Sequence, residues 1–253
     1  MIDKKTNTLL FTSPHDGYLI PDDENFKERD ISTVPDGCKA NFRDFRDLYT
    51  SEITYGVAWK IYLLTGQQPP TVTQKYHRKY MDLNRSIRCA YEQQEAEAYY
   101  FEYHGLISKY LKEMYIENKD ENLMCYLFDI HGYDRGSTDP PDQPDEDIVI
   151  GTNNGDTIWK LRKNHPDAIN DLIKILETGG YTVLHATTDQ EIAALDGGYT
   201  IIHYSNPEWL YACNAFQFEL ADDLRKSAVK RAKLILDLAD SILEFVTKFL
   251  TNV

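Results

Sequence analysis

Short apolar runs separated by longer stretches of helical period set the rhythm of this chain. Thr8-Leu9-Leu10-Phe11-Thr12 predicts a first strand that feeds directly into Ser13-Pro14-His15-Asp16-Gly17. A polar, Asp-rich connection follows to about Asp47. Over Glu52–Thr65, Ile53, Val57, Ile61 and Leu64 fall on one helical face, and Gly66 with Pro69-Pro70 stops the pattern. Thr71–Lys75 predicts a second strand, and Gln93 to about Asn118 a long helix rich in Glu, Ala, Tyr and Leu. Leu123–Ile130 (LMCYLFDI) is almost continuously apolar, as a central parallel strand covered on both faces requires. Tyr133–Glu146 is dense in Pro, Asp and Gly and predicts a loop, its Asp134–Asp147 part either a lid or an ordinary acidic surface. Further strands are expected at Asp147–Ile150, Tyr181–His185, Thr200–Tyr204 and Ala215–Leu220, with a helix over Pro166–Glu177. Asp222–Leu250 closes the chain as one long amphipathic helix, with Leu234, Leu238, Ile242, Phe245 and Phe249 at helical spacing against the sheet. Strands alternating with helices predict an α/β fold, and with no repeat or linker, residues 1–253 read as a single domain.

Charge narrows the partners. Against 27 Lys and Arg stand 41 Asp and Glu, a formal charge of −14, so nucleic acid and anionic membrane are not expected partners. An anionic substrate then needs a local reversal of sign, and one stretch supplies it. Lys75, Arg78, Lys79, Arg85 and Arg88 face a single acid, Asp82, over fourteen residues of chain. Arginine offers a planar fork that matches a carboxylate, and Asn84 adds a hydrogen-bonding amide. The competing reading is a solvated basic turn paired with surface acids.

The four cysteines, Cys38, Cys89, Cys125 and Cys213, are scattered and form neither a C-x-x-C pair nor a compact disulfide framework. That suits a reducing cytosol. Met1-Ile2-Asp3-Lys4-Lys5 does not open a signal peptide, and no run approaches the roughly 18 apolar residues of a membrane helix. A cytoplasmic protein is expected.

In open α/β sheets, ligands bind beyond the carboxyl ends of the strands. Three expected strands end in metal- or proton-handling residues: His15, His131 and Glu219. Two imidazoles and a carboxylate around zinc leave a position for water, whose pKa the metal lowers to about 7. A glutamate beside such a water can take its proton. Asp129 reads either as a residue orienting a metal ligand or as a strand-end cap. His77 could contact an anion or be merely exposed, while His165 fits an exposed helix start and His185 and His203 fit structural strand ends. Gly151–Gly155 lacks the phosphate-loop pattern and reads as a turn.

Five motifs in order carry a resemblance: Pro14-His15-Asp16-Gly17, Arg78 with Asp82-Leu83-Asn84-Arg85, Tyr103-His104, Asp129-Ile130-His131-Gly132, and Gln217-Phe218-Glu219-Leu220. From about Leu9 to the C-terminal helix, the chain resembles the N-formylglutamate amidohydrolases. That family is similar in fold to the zinc carboxypeptidases, which implies a mixed, largely parallel sheet flanked by helices, of the phosphorylase/hydrolase-like kind. The resemblance further implies one zinc ion (Zn2+) held by His15 and His131, with Glu219 moving the water proton. It implies that Asn84 and Arg85 contact a substrate carboxylate, with Arg78 at the substrate or the oxyanion and His104 facing the substrate. For the third metal ligand, the H-x-x-E spacing of carboxypeptidases fails at Tyr18. Asp47 matches an acidic position of the family best, with Asp44 and Asp16 as alternatives. The expected reaction is hydrolysis of an N-acyl amino acid, N-formyl-L-glutamate being the namesake. A carboxypeptidase-like enzyme acting on glutamyl peptides and a non-catalytic ligand-binding protein on the same fold are the rivals.

Overall fold

In the computed structural model, which describes residues 7–21, 26–40, 42–135, 144–187 and 195–251, the apolar runs assemble into one six-stranded sheet. Its strands are β1 (Leu9–Ser13), β2 (Thr71–Thr73), β3 (Tyr126–Tyr133), β4 (Ile148–Gly151), β5 (Val183–His185) and β6 (Asn214–Ala221). The spatial order is β2-β1-β3-β6-β4-β5. The first four of these run parallel, β4 meets β6 antiparallel, and β5 follows β4, so the sheet is mixed and largely parallel.

Helices cover both faces: α1 (Asp36–Lys39), α2 (Thr50–Thr65), α3 (Ile87–Ala90), α4 (Glu97–Asn118), α5 (Trp159–Asn164), α6 (Ala168–Thr178), α7 (Tyr199–Ser205), α8 (Asp222–Lys226) and α9 (Ala228–Lys248). Ile53 and Val57 of α2 and Leu238 and Phe245 of α9 bury against Phe128, Phe216 and Phe218. On the other face, Ile107 and Leu111 of α4 and Ile201 of α7 bury against Leu10, Leu127 and Ala215.

The period-2 alternation of strands explains how such apolar runs still deliver chemistry. Along β3 the α4-facing side reads Leu127, Asp129, His131, while the opposite side stays apolar through Phe128 and Ile130. Along β6 the same side reads Ala215, Gln217, Glu219. The parallel register pairs Asp129 with Gln217 and His131 with Glu219. One face therefore turns polar where two adjacent strands approach their carboxyl ends.

Three expectations give way. Thr200–Tyr204 is helical within α7, not a strand. Its β-branched residues favour a strand locally, but Ile201 and Tyr204, three apart, both bury against α4 and its surroundings while Ile202 stays exposed. The closing helix is broken at Ser227, whose hydroxyl accepts from Lys230 N and so caps α9. Cys38 and Cys89 are bonded as a disulfide, their Cα atoms 5.5 Å apart, although nothing in their spacing announces it. The expected lid and leader readings fall largely on residues 136–143 and 1–6, outside the described residues. Among the described residues, no helix is long and apolar enough to cross a membrane.

Candidate functional site

Three side chains from distant parts of the chain converge near the carboxyl ends of β1 and β3. His15 Nδ1 lies 3.2 Å and His131 Nδ1 3.4 Å from the same atom, Asp47 Oδ2. All three residues are buried, and one ligand atom from each falls within 4.8 Å of the others. Neither Asp44 nor Asp16 joins this group; Asp16 turns away to Arg46 and the Ser51 amide.

Both imidazoles are oriented from behind. His15 Nε2 lies 2.8 Å from Asp82 Oδ1, and His131 Nε2 lies 2.8 Å from Asp129 Oδ2. Donation from each Nε2–H leaves each Nδ1 lone pair aimed at the shared centre, the carboxylate–histidine arrangement that metal sites use. Thr12 Oγ1 in turn donates to Asp129 Oδ1 at 2.6 Å. Asp129 is thus held against the His131 ring.

The Asp47 turn is fixed as tightly. Asp47 N donates to His15 O at 3.1 Å, Gly132 N donates to Asp47 Oδ2 at 3.2 Å, and Thr50 Oγ1 donates to Asp47 O at 2.9 Å. Tyr49, which starts α2, sits in the left-handed region at φ 70°, a strain of order 1–3 kcal/mol that this bonding must hold.

The donor set fits a divalent cation. Ligand atoms on a tetrahedral zinc with bonds of about 2.0–2.1 Å lie about 3.3 Å apart, close to the 3.2 and 3.4 Å between Asp47 and the two rings. The electrostatics agree: burial disfavours a charged ring, yet Asp129, Asp47 and Glu219 push His131 up to about 10. This pocket of carboxylates favours a positive charge at its centre. Asp47 stays well below the usual carboxylate range, since His15, His131 and Arg78 outweigh the effect of burial.

Glu219 stands alongside, its Oε1 4.0 Å from His131 Nδ1. Burial pushes its carboxyl up to about 7, with His131 and Arg78 opposing the rise and Asp47 adding to it. Gln217 Nε2 donates to Glu219 Oε1 at 2.8 Å.

The side chains of the basic loop make close contacts within the chain. Arg78 turns its fork onto Asp82, with Nε at 3.0 Å and a terminal nitrogen at 2.9 Å, and lies 3.7 Å from Asp47. Its charge therefore lies against the carboxylates of Asp82 and Asp47. The Asn84 amide is also engaged: Oδ1 accepts from Thr200 N at 2.8 Å, and Nδ2 lies 3.4 Å from His131 Nε2 and 3.5 Å from Gln217 Oε1. Arg85 is the more open cation, its side chain 23% exposed against 6% for Arg78. His104 is bonded within the chain on both ring nitrogens. Its Nε2 lies 3.1 Å from Leu83 O and its Nδ1 3.0 Å from the Tyr204 hydroxyl, so it braces the loop that carries Asn84. Tyr100 does the same by donating to Arg85 O.

Two residues with clear contacts had faint signals. Asp82, the lone acid of the basic loop, holds His15 and Arg78 together. Gln217, two residues before Glu219, shares its face by strand alternation. Of the remaining histidines, His185 meets Thr152 Oγ1 at 2.7 Å, His203 stacks on Tyr199, and His165 lies against Phe249. His77 accepts from Lys79 N.

Among solved structures, an N-formylglutamate amidohydrolase from Ralstonia eutropha JMP134 superposes with a TM-score of 0.67 at 16% identity, over 96% of this chain and 93% of that one. This chain has the N-formylglutamate amidohydrolase fold. A second match, gene product Atu2144 from Agrobacterium tumefaciens, gives a TM-score of 0.62 at 13% identity, over 96% and 92% of the two chains. No protein-family model matches the sequence, and the search of curated proteins returns no match. The amidohydrolase fold thus supports in space the resemblance that five short motifs carry in sequence.

Proposed function

We propose that this protein is a metal-dependent amidohydrolase that removes the acyl group of an N-acyl amino acid, with N-formyl-L-glutamate as the leading candidate. The observation that carries the reading is the convergence of His15, Asp47 and His131, each imidazole backed by a carboxylate, with Glu219 4.0 Å away.

A zinc ion bound by those three residues would supply Lewis acidity to the amide carbonyl and acidify a water. The chain's own residues carry the other steps. Glu219, with a carboxyl near neutrality, accepts the water proton and delivers it to the departing amine nitrogen. Asp82 and Asp129 keep both rings in the metal-binding tautomer and strengthen their basicity. Arg85, whose side chain is more exposed than that of Arg78, receives the substrate carboxylate. Arg78 holds Asp82 ionised and leans on Asp47. Asn84, beside Arg85, holds the start of α7 by accepting from Thr200 N.

The test is formate release from a panel of N-formyl amino acids, using zinc-replete protein and a chelated control. Formate release that depends on metal and prefers an acidic amino acid supports the assignment. Full zinc content with no formate from any member of the panel removes it. Preferential cleavage of glutamyl peptides would move the substrate class to the carboxypeptidase-like alternative.

A further inference from the structure

Resting on the hydrolase reading above, we propose that Gln217 is a positioning residue for Glu219, its amide locked between the Gly198 N–H and the Glu219 carboxylate. Gln217 and Glu219 alternate onto one face of β6, and both are buried. An amide in such a place can usually turn over and exchange its oxygen and nitrogen. Here it cannot, because Gly198 N donates to Gln217 Oε1 at 2.7 Å. That bond fixes the oxygen outward and leaves Nε2 to donate to Glu219 Oε1 at 2.8 Å.

Two consequences follow for the proton-accepting carboxylate. The donated hydrogen bond favours its ionised form, against the desolvation that burial imposes. It also fixes the plane of the carboxyl group, so the group keeps one orientation beside His131 instead of swinging about its side-chain torsions. Misplacing a catalytic group by about 1 Å can cost on the order of 100-fold.

The lock has its own support. A Cβ on Gly198 would overlap the Asn84 side-chain amide, so only glycine brings the N–H this close. The turn leading into Gly198 is anchored by Asp196, which accepts from Thr152 N at 3.2 Å and Asn154 N at 2.8 Å. The Gly151–Gly155 turn, which carries no phosphate-loop pattern, thereby serves the orientation of Glu219.

Gln217→Met and Gln217→Leu each remove both hydrogen bonds at similar volume and add no charge beside Glu219. Both are assayed zinc-loaded beside the wild type for kcat, KM, zinc affinity by competition with a chromophoric chelator, and thermal stability. The expected result is a fall in kcat of about 10- to 100-fold in each variant, with KM and zinc affinity within about threefold of wild type. A crystal structure of the zinc-loaded Gln217→Met protein should show the Glu219 carboxyl turned from its wild-type plane. Wild-type kcat in either variant overturns the proposal. So does an unmoved Glu219, or a kcat loss matched by an equal loss of zinc affinity, which would make Gln217 a support of the metal site alone. An inactive zinc-loaded wild type would instead defeat the hydrolase reading on which this one rests.

Discussion

At the residue scale, the division of labour in the site predicts separable losses. Glu219 lies outside the His15–Asp47–His131 group, its Oε1 4.0 Å from His131 Nδ1, so Glu219→Gln should bind zinc as tightly as the wild type. Its amide cannot take the water proton, and kcat should fall by about 10²–10⁴; zinc lost in parallel with turnover would contradict this. Asp82→Asn should behave oppositely, because Asp82 holds His15 Nε2 at 2.8 Å, and a loss of about 10- to 100-fold in zinc affinity is expected by chelator competition. Unchanged affinity would mean that His15 is oriented without it. His104 predicts a dependence on pH. Burial, with the neighbouring His203, pushes its ring down to about 4, so the folded protein holds it neutral. An unfolded chain takes up that proton near 6.5 and the native state only near 4. The stabilisation is therefore complete above 6.5 and is lost as pH falls through that window, on the order of 3 kcal/mol by pH 4. Denaturant melts of wild type and His104→Gln should diverge in slope between those pH values; parallel profiles would show that His104 does not titrate so.

At the scale of elements, the break between α8 and α9 has a visible purpose. Arg225, 1% exposed, donates to Leu220 O at 2.8 Å, Leu48 O at 2.7 Å and Tyr133 O at 2.9 Å. Those carbonyls follow Glu219, Asp47 and the His131-Gly132 pair along the chain, so one guanidinium ties together the three segments that build the site. Gly132 leaves it room, since a Cβ there would overlap the guanidinium. Gly132→Ala should cost about 1–3 kcal/mol of stability by overpacking, and should weaken zinc binding as the Asp47 turn shifts. A variant with wild-type melting and zinc affinity would show that Arg225 relocates freely. None of this is legible in sequence, because Arg225 reads there as one more charge on an amphipathic helix. Elements whose burial follows chain periodicity were legible, as with LMCYLFDI and the Ile53–Ile61 face. Thr200–Tyr204 was not, because packing on α4 decides its conformation and the local β-branched preference loses. Likewise His15, His131 and Glu219 announce themselves by lying at strand ends. The bonds that hold Arg78, Asn84 and His104 were not legible, since they involve partners up to 116 residues away.

At the scale of the whole molecule, the basic loop is clamped from outside by the segment at 26–40. Arg29, buried, donates to Arg78 O at 3.2 and 3.1 Å and also to Arg43 O. Lys27 and Gln93 exchange two hydrogen bonds, each at 2.7 Å. The disulfide between Cys38 and Cys89 closes this clamp across 51 residues of sequence, a span that includes Asp47 and the whole basic loop. Scattered cysteines conceal such a pairing, since their proximity is a property of the fold and not of their spacing. Cross-linking restricts the unfolded chain, and for a loop of that length the chain-entropy estimate is about 4 kcal/mol. Reduction by a dithiol, or replacement by Cys38→Ser with Cys89→Ser, should therefore lower the melting temperature by several degrees. Protease cleavage within 26–40 should rise in step, because that segment then depends on its hydrogen bonds, among them Arg29 N to Lys79 O, and on the packing of Phe26 against Tyr80 and Tyr99. The proposed metal site is held from inside by Asp82, Asp129 and Arg225, so zinc affinity of the folded, reduced protein should change far less than its stability. Equal melting of oxidised, reduced and serine forms would show that the clamp does not need its covalent closure.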